Sequence, residues 1–147
     1  MKIRKYTPAD KDACLEIFQK NIGKSFDPEE LPFFDHWLEN HEEYPFFVVE
    51  LNEKIVACGG IYFDDRYDLA GLSWTMVDPE FQKQGIGREL THYCMAEIET
   101  AFPGLGCFIE TIGQSAQFYL KLGFVIRETK RHKGSDHDRY LLEYPAA

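Results

Sequence analysis

The segment from Val77 to Leu90 constrains the chain more than any other. An apolar run ends there, a turn containing Pro79 follows, and Gly85 and Gly87 then open a long amphipathic stretch. This is a strand giving way to a helix, and the junction has chemistry of its own. The first N–H groups of a helix have no intrahelical partner, and the helix dipole adds partial positive charge at that end. Glycine allows the main chain to approach a ligand closely and to take turns a side chain forbids. The junction is therefore a candidate backbone cradle for an anion.

The other elements follow from periodicity and stop signals. Lys2 to Tyr6 alternates as a first strand, and Thr7-Pro8-Ala9-Asp10 starts a helix carrying Cys14, Ile17, Phe18 and Ile22, with Gly23 as its stop. Asp27-Pro28-Glu29-Glu30 repeats the start signal for an aromatic helix with Phe33, Phe34, Trp37 and Leu38 that ends near His41. Phe46–Leu51 and Lys54–Phe63 form a hairpin about Asn52-Glu53. Gly71–Val77 is the next strand, with Leu72, Trp74 and Met76 on one face and Ser73, Thr75 and Val77 on the other. A third helix reaches Ala101 with Ile86, Leu90, Tyr93, Cys94, Ile98 and Ala101 inward. A central strand Cys107–Thr111, a short helix Ser115–Leu122, and strands Phe124–Glu128 and Arg139–Tyr144 complete the order, the last two joined by a polar loop from Lys130 to Asp138. The expected fold class is α/β with a mixed sheet, in one domain over residues 1–147.

Charge and cysteine usage narrow the partners. The formal net charge is −9, which disfavours nucleic acid and suits a cationic ligand, although acidity also simply keeps a protein soluble. No apolar run spans a bilayer, no leader pattern opens the chain, and four scattered cysteines lack a Cys-x-x-Cys pair. Together these predict no membrane partner and a cytoplasmic protein with reduced thiols. His36, His41, His92, His132 and His137 have no metal-ligand spacing, so no metal is expected.

Neither familiar nucleotide fingerprint fits the glycines. A dinucleotide motif needs a third glycine where Leu90 stands, and a P-loop needs Lys-Ser or Lys-Thr where Arg88-Glu89 stands. Instead, Gln82-Lys83-Gln84-Gly85-Ile86-Gly87 resembles the Gln/Arg-x-x-Gly-x-Gly/Ala signature of the GNAT superfamily of acyl-CoA-dependent N-acyltransferases. Phe118-Tyr119-Leu120-Lys121-Leu122-Gly123-Phe124 is similar to that family's second motif, and the element order matches as well.

The resemblance implies a sheet of about seven strands flanked by four helices and splayed between the fourth and fifth strands. It implies an acetyl-CoA site, with pyrophosphate on the backbone of Gln82, Lys83, Gln84, Gly85, Ile86, Gly87 and Arg88, and pantetheine beside Met76 and Val77. Many members carry an Asn after the following strand; this chain reads Gln114-Ser115 there, and either residue is the candidate replacement. Tyr119 matches the family's general acid. Glu110 is the leading candidate for general base, with Asp64, Asp65 and Asp68 as alternatives. The implied activity is direct acetyl transfer to a primary amine of a small cationic molecule or peptide, and the family suggests a homodimer. The alternative is a non-catalytic acyl-CoA sensor on the same fold.

Overall fold

The computed structural model describes residues 1–131 and 138–146. The strands are β1 Lys2–Lys5, β2 Phe46–Leu51, β3 Lys54–Asp64, β4 Leu69–Val77, β5 Cys107–Ile112, β6 Val125–Arg131 and β7 Asp138–Tyr144. The helices are α1 Lys11–Lys20, α2 Leu31–Glu39, α3 Ile86–Ala101 and α4 Gly113–Lys121. They form one sheet in the order β1-β2-β3-β4-β5-β7-β6, in which only β4 and β5 are parallel. The right-handed return that a parallel pair requires is supplied by α3.

Both helix-start signals operate through short 3-10 turns. The Asp10 carboxylate accepts the Thr7 N–H at 2.9 Å, and Glu30 accepts the Asp27 N–H at 2.7 Å. Asn52 and Glu53 both take positive φ, as a two-residue hairpin turn demands. Each face of the sheet is covered. Leu72, Ile86, Leu90, Cys94, Ile98 and Tyr119 belong to the core under α3 and α4, while Cys14, Phe18, Phe34, Leu38, Cys58 and Met76 belong to the core under α1 and α2. Truncating one such side chain, Leu90 for example, costs about 2–5 kcal/mol.

Several sequence expectations are corrected. β4 does not alternate cleanly: Cys58 pairs with Met76 but Gly60 pairs with Ser73, so β4 carries one extra residue. The bulge sits at Trp74, whose φ is +52°. It turns Leu72 toward the α3 core while Trp74 and Met76 face the α1–α2 core. Such a backbone costs about 1–3 kcal/mol in a non-glycine residue. The Trp74 ring packs on Phe34, Phe26 and Phe18 with centroids 5.1, 5.7 and 6.4 Å away, which offsets that cost. On α3, Ala101 is exposed and Thr91 is buried. The helix α2 stops at Glu39, and Phe33 faces solvent. The last two strands begin or end beyond the expected limits, at Arg131 and Asp138. His132, His137 and the interior of the expected Lys130–Asp138 loop lie outside the described residues.

Candidate active site

The sheet opens where β4 leaves β5. Only Ala70–Cys107 and Gly71–Phe108 are paired across this junction. Gly71 makes that close approach possible, since a Cβ there would lie 2.6 Å from the Phe108 carbonyl oxygen. Beyond it, β5 is fully occupied by β7 on its other edge and β4 by β3. A cavity of about 350 Å³ fills the opening.

The first wall is the end of β4. The Asp78 N–H bonds the Val56 carbonyl at 2.8 Å, which fixes the alternation of main-chain groups along the strand. Val77 therefore turns its N–H and C=O to the open edge. Its carbonyl is already engaged, accepting from Asn21 Nδ2 at 3.0 Å and Gln82 Nε2 at 3.2 Å. The Val77 N–H is the group left facing the opening.

The second wall is the glycine loop. Asp78 is buried and accepts from the Glu80 N–H and from Lys20 Nζ, each at 3.0 Å. Burial alone pushes its carboxyl up, but the Glu80 N–H and the Lys20 ammonium outweigh this and hold it below the usual carboxylate range. From this anchor the chain passes through positive φ at Lys83 (64°) and Gly85 (81°). No atom lies within 4 Å of a Cβ built on Gly85, so glycine is there for its backbone and not for space. The first helical bond runs from the Glu89 N–H to the Gly85 carbonyl. The Ile86, Gly87 and Arg88 N–H groups precede it, in the first turn, where a helix supplies no acceptor. At Gly87 a Cβ would sit in ordinary contact, 3.4 Å from Phe118 and from Val77, so a side chain larger than methyl would press into the space between α3 and α4.

The third wall is α4, through Gln114, Ser115, Phe118 and Tyr119. Tyr119 is 4% exposed, with Phe118 and Phe124 edge-on at 5.0 and 5.3 Å. Burial pushes its phenol well above the ordinary value, and the nearby Thr75 hydroxyl pulls weakly the other way. The two groups do not form a bond of normal geometry, because buried Thr75 Oγ1 has no hydrogen-bond partner. An unmatched hydroxyl on the cavity wall fits a site shaped for a polar ligand.

Of the residues singled out in sequence, Met76, Val77, Gln82, Lys83, Gly85, Gly87, Arg88, Gln114, Ser115 and Tyr119 line this one cavity. Three do not. Gln84 is solvent-exposed, and the Ile86 side chain is buried in the α3 core. Glu110 lies on the open part of β5 but on the face toward α2, with Arg139 Nε 3.8 Å away. The same guanidinium lies 3.6 Å from Asp27 and 3.7 Å from Glu30. Residues 64–68 are displaced further. They join β3 to β4 beside the closed end, about 20 Å along the strand from Thr75. Asp64 there is held by Arg66 at 2.9 Å. They do not form a rim of the opening.

Asn21, Lys24, Ser25, Thr75 and Phe118 also line the cavity and had no role in the site assigned to them from sequence. Thr75 and Phe118 stand next to residues that had one, so period and motif already pointed near them. Asn21, Lys24 and Ser25 arrive from the α1–α2 connection, and only the tertiary fold brings them there.

Among known families, the model described as Acetyltransferase (GNAT) domain matches residues 42–126. The uncharacterized N-acetyltransferase MJ1207 of Methanocaldococcus jannaschii is 29% identical over 140 residues, which is 86% of this chain and 61% of that protein. The chain thus spans about three fifths of that curated relative's length. Ribosomal-protein-alanine N-acetyltransferase from Brucella melitensis superposes with a TM-score of 0.80 at 21% identity, covering 99% of both chains. The yncA structure from Salmonella typhimurium, which holds acetyl-CoA, superposes at 0.78 with 21% identity over 99% of this chain and 93% of its own. With the family model matching more than half its residues, the chain belongs to the GNAT acetyltransferase family.

Proposed function

We propose that this protein transfers an acetyl group from acetyl-CoA directly to a primary amine of a small cationic molecule or peptide. One observation carries the reading. The glycine loop, the open edge of β4 and Tyr119 meet in a single cavity at the β4–β5 opening. The acetyl-CoA held by the Salmonella relative supports the choice of donor.

The chain's own groups divide the work. The N–H groups of Ile86, Gly87 and Arg88 receive the pyrophosphate, an arrangement that binds an anion on an acidic protein without a broad basic face. The Val77 N–H donates to the thioester oxygen as negative charge develops on it. The neutral amine nitrogen forms a bond to the carbonyl carbon, the carbon–sulfur bond breaks, Tyr119 donates its hydroxyl proton toward the departing sulfur, and the second proton lost by the nitrogen as the amide forms restores the Tyr119 phenol through water. With ordinary thiol and phenol acidities that transfer is uphill by about 2 kcal/mol. Burial of Tyr119 raises the phenol further. Tyr119 therefore acts first as a hydrogen-bond donor to the thiolate in a dry site, and transfer completes as CoA leaves.

An alkylammonium must lose a proton before it attacks. Glu110 takes that proton, directly or through a water, from an amine arriving on the α2 face. Asp27 and Glu30 beside it add two carboxylates to this face around Arg139, which suits a cationic acceptor. The four buried cysteines, none in a disulfide, fit a reducing compartment such as the cytoplasm.

The reading is tested by following thiol release from acetyl-CoA across a panel of polyamines, amino sugars and lysine- or alanine-terminated peptides. Amine-dependent, saturable release is expected. Tight CoA binding with no turnover for any amine, and no effect of Tyr119→Phe, would instead make the protein a binding module.

A further inference from the structure

The α1–α2 connection is as firmly built as the glycine loop it faces. The Asn21 carbonyl accepts from the N–H groups of Lys24, Ser25 and Phe26 at 3.1, 3.0 and 3.3 Å, and the Gly23 N–H bonds the Phe26 carbonyl at 2.8 Å. Gly23 takes φ +85°, which closes this tight turn. Asn21 is buried and ties the turn to the end of β4 through the Val77 carbonyl. Ser25 Oγ lies 2.7 Å from Ser115 Oγ, joining the turn to the start of α4. Phe26 stacks on Phe18 and Trp74. The position of Lys24 is therefore set by contacts on both sides of it.

Lys24 lines the cavity together with Lys83 and Arg88, which come from the opposite wall. Among the described residues, none of these three cations pairs with a carboxylate. What sets these three apart is their convergence on one cavity from two walls, in a chain with 25 acidic and 16 basic residues. Main-chain N–H groups alone answer to an anion's shape; a cation on the facing wall adds charge from the other side.

We propose that Lys24 is a donor-binding residue, forming with the glycine loop a two-sided clamp on a phosphate of the acyl-CoA. The inference rests on the acyl-CoA reading above and goes beyond it in assigning the α1–α2 turn to the donor side of the site. The phosphate is either the pyrophosphate or the 3′-phosphate, both of which offer oxyanions to an ammonium.

The test is calorimetric titration of wild-type, Lys24→Met and Lys24→Arg proteins with CoA, 3′-dephospho-CoA and pantetheine. Lys24→Met is expected to weaken CoA about tenfold, the worth of one charge-assisted hydrogen bond. It leaves pantetheine within about twofold, and Lys24→Arg recovers most of the loss. A loss with both phosphorylated ligands assigns the pyrophosphate, and a loss with CoA alone assigns the 3′-phosphate; either supports the clamp. Unchanged CoA affinity in Lys24→Met overturns it, as does an equal loss for pantetheine, which would mean a displaced turn. A wild-type protein that takes no CoA overturns the underlying reading instead, and this inference with it.

Discussion

The two sides of the β4–β5 opening are made of different materials. On the α3–α4 side the facing groups are mostly main chain: the Val77 N–H at an unpaired strand edge and the N–H groups of the first turn of α3, held by buried Asp78 and by positive φ at Lys83 and Gly85. On the α2 side they are side chains drawn from three separate segments, with Asp27, Glu30 and Glu110 around Arg139. A main-chain site demands one shape and is indifferent to most side chains. A side-chain site can be redrawn residue by residue while the fold stays the same. On this view the donor is common property of the family and the acceptor is set by the individual chain.

The comparison predicts unequal responses to substitution. The largest is Gly87→Val, which fills the gap between Val77 and Phe118. Acetyl-CoA affinity should fall at least about 100-fold, while stability shifts by only roughly 1 kcal/mol, since a Cβ there meets ordinary contacts at the cavity wall and not the buried core. Titration and a melting curve on the same preparation separate these outcomes; a folded variant that binds normally would move the cradle elsewhere.

Next is Tyr119→Phe, expected to lower kcat by about 10–100-fold with little change in the donor KM. Because burial raises the Tyr119 phenol, it stays protonated above the ordinary value of about 10. A pH–rate profile should therefore show no loss of kcat from this group as pH rises through that range. A falling limb that disappears in Tyr119→Phe would contradict the buried placement.

Asp78→Asn probes the support of the cradle and should cost about 2 kcal/mol, because it weakens the bonds to Lys20 and Glu80 in a buried place. The native carboxyl is depressed relative to the unfolded chain, so its contribution is complete above the ordinary carboxylate range near 4 and is lost as pH falls through the folded value. Denaturant midpoints taken from pH 7 to pH 3 should drop less steeply for the variant than for the wild type. Equal slopes would remove Asp78 from the account of acid stability.

Glu110→Gln is the smallest effect and the sharpest for the comparison. The kcat/KM for the amine should fall about tenfold while CoA affinity is unchanged. If donor affinity changes in parallel, the two sides are not separable in the way their construction suggests.

The same contrast governs what could be read from the chain alone. The order of elements was legible because strand period and capping residues are local signals, while the splay and the coenzyme cradle followed only from the family resemblance carried by the Gln82–Gly87 and Tyr119–Phe124 runs. The bulge at Trp74 was not, since it is a register mismatch between β3 and β4 and leaves the alternation of Leu72, Trp74 and Met76 looking regular. Asp64, Asp65 and Asp68, the alternatives for the base, lie away from the opening for a related reason: the end at which β4 and β5 separate depends on Gly71 packing against Phe108. Arg139, which gathers three carboxylates, and the turn from Asn21 to Phe26 lie far in sequence from the groups they meet. Only the closed sheet brings them into place.

The central claim is that the opening holds an acetyl donor on a backbone cradle and delivers its acyl group straight to an amine. The most direct measurement is a stopped thiol-release assay with acetyl-CoA and the amine panel, run side by side on wild-type and Gly87→Val proteins. Amine-dependent release of one thiol per acetylated amine in the wild type, absent in Gly87→Val, is the predicted result. Release that proceeds equally in Gly87→Val, or no release from a wild type that binds CoA, would contradict it.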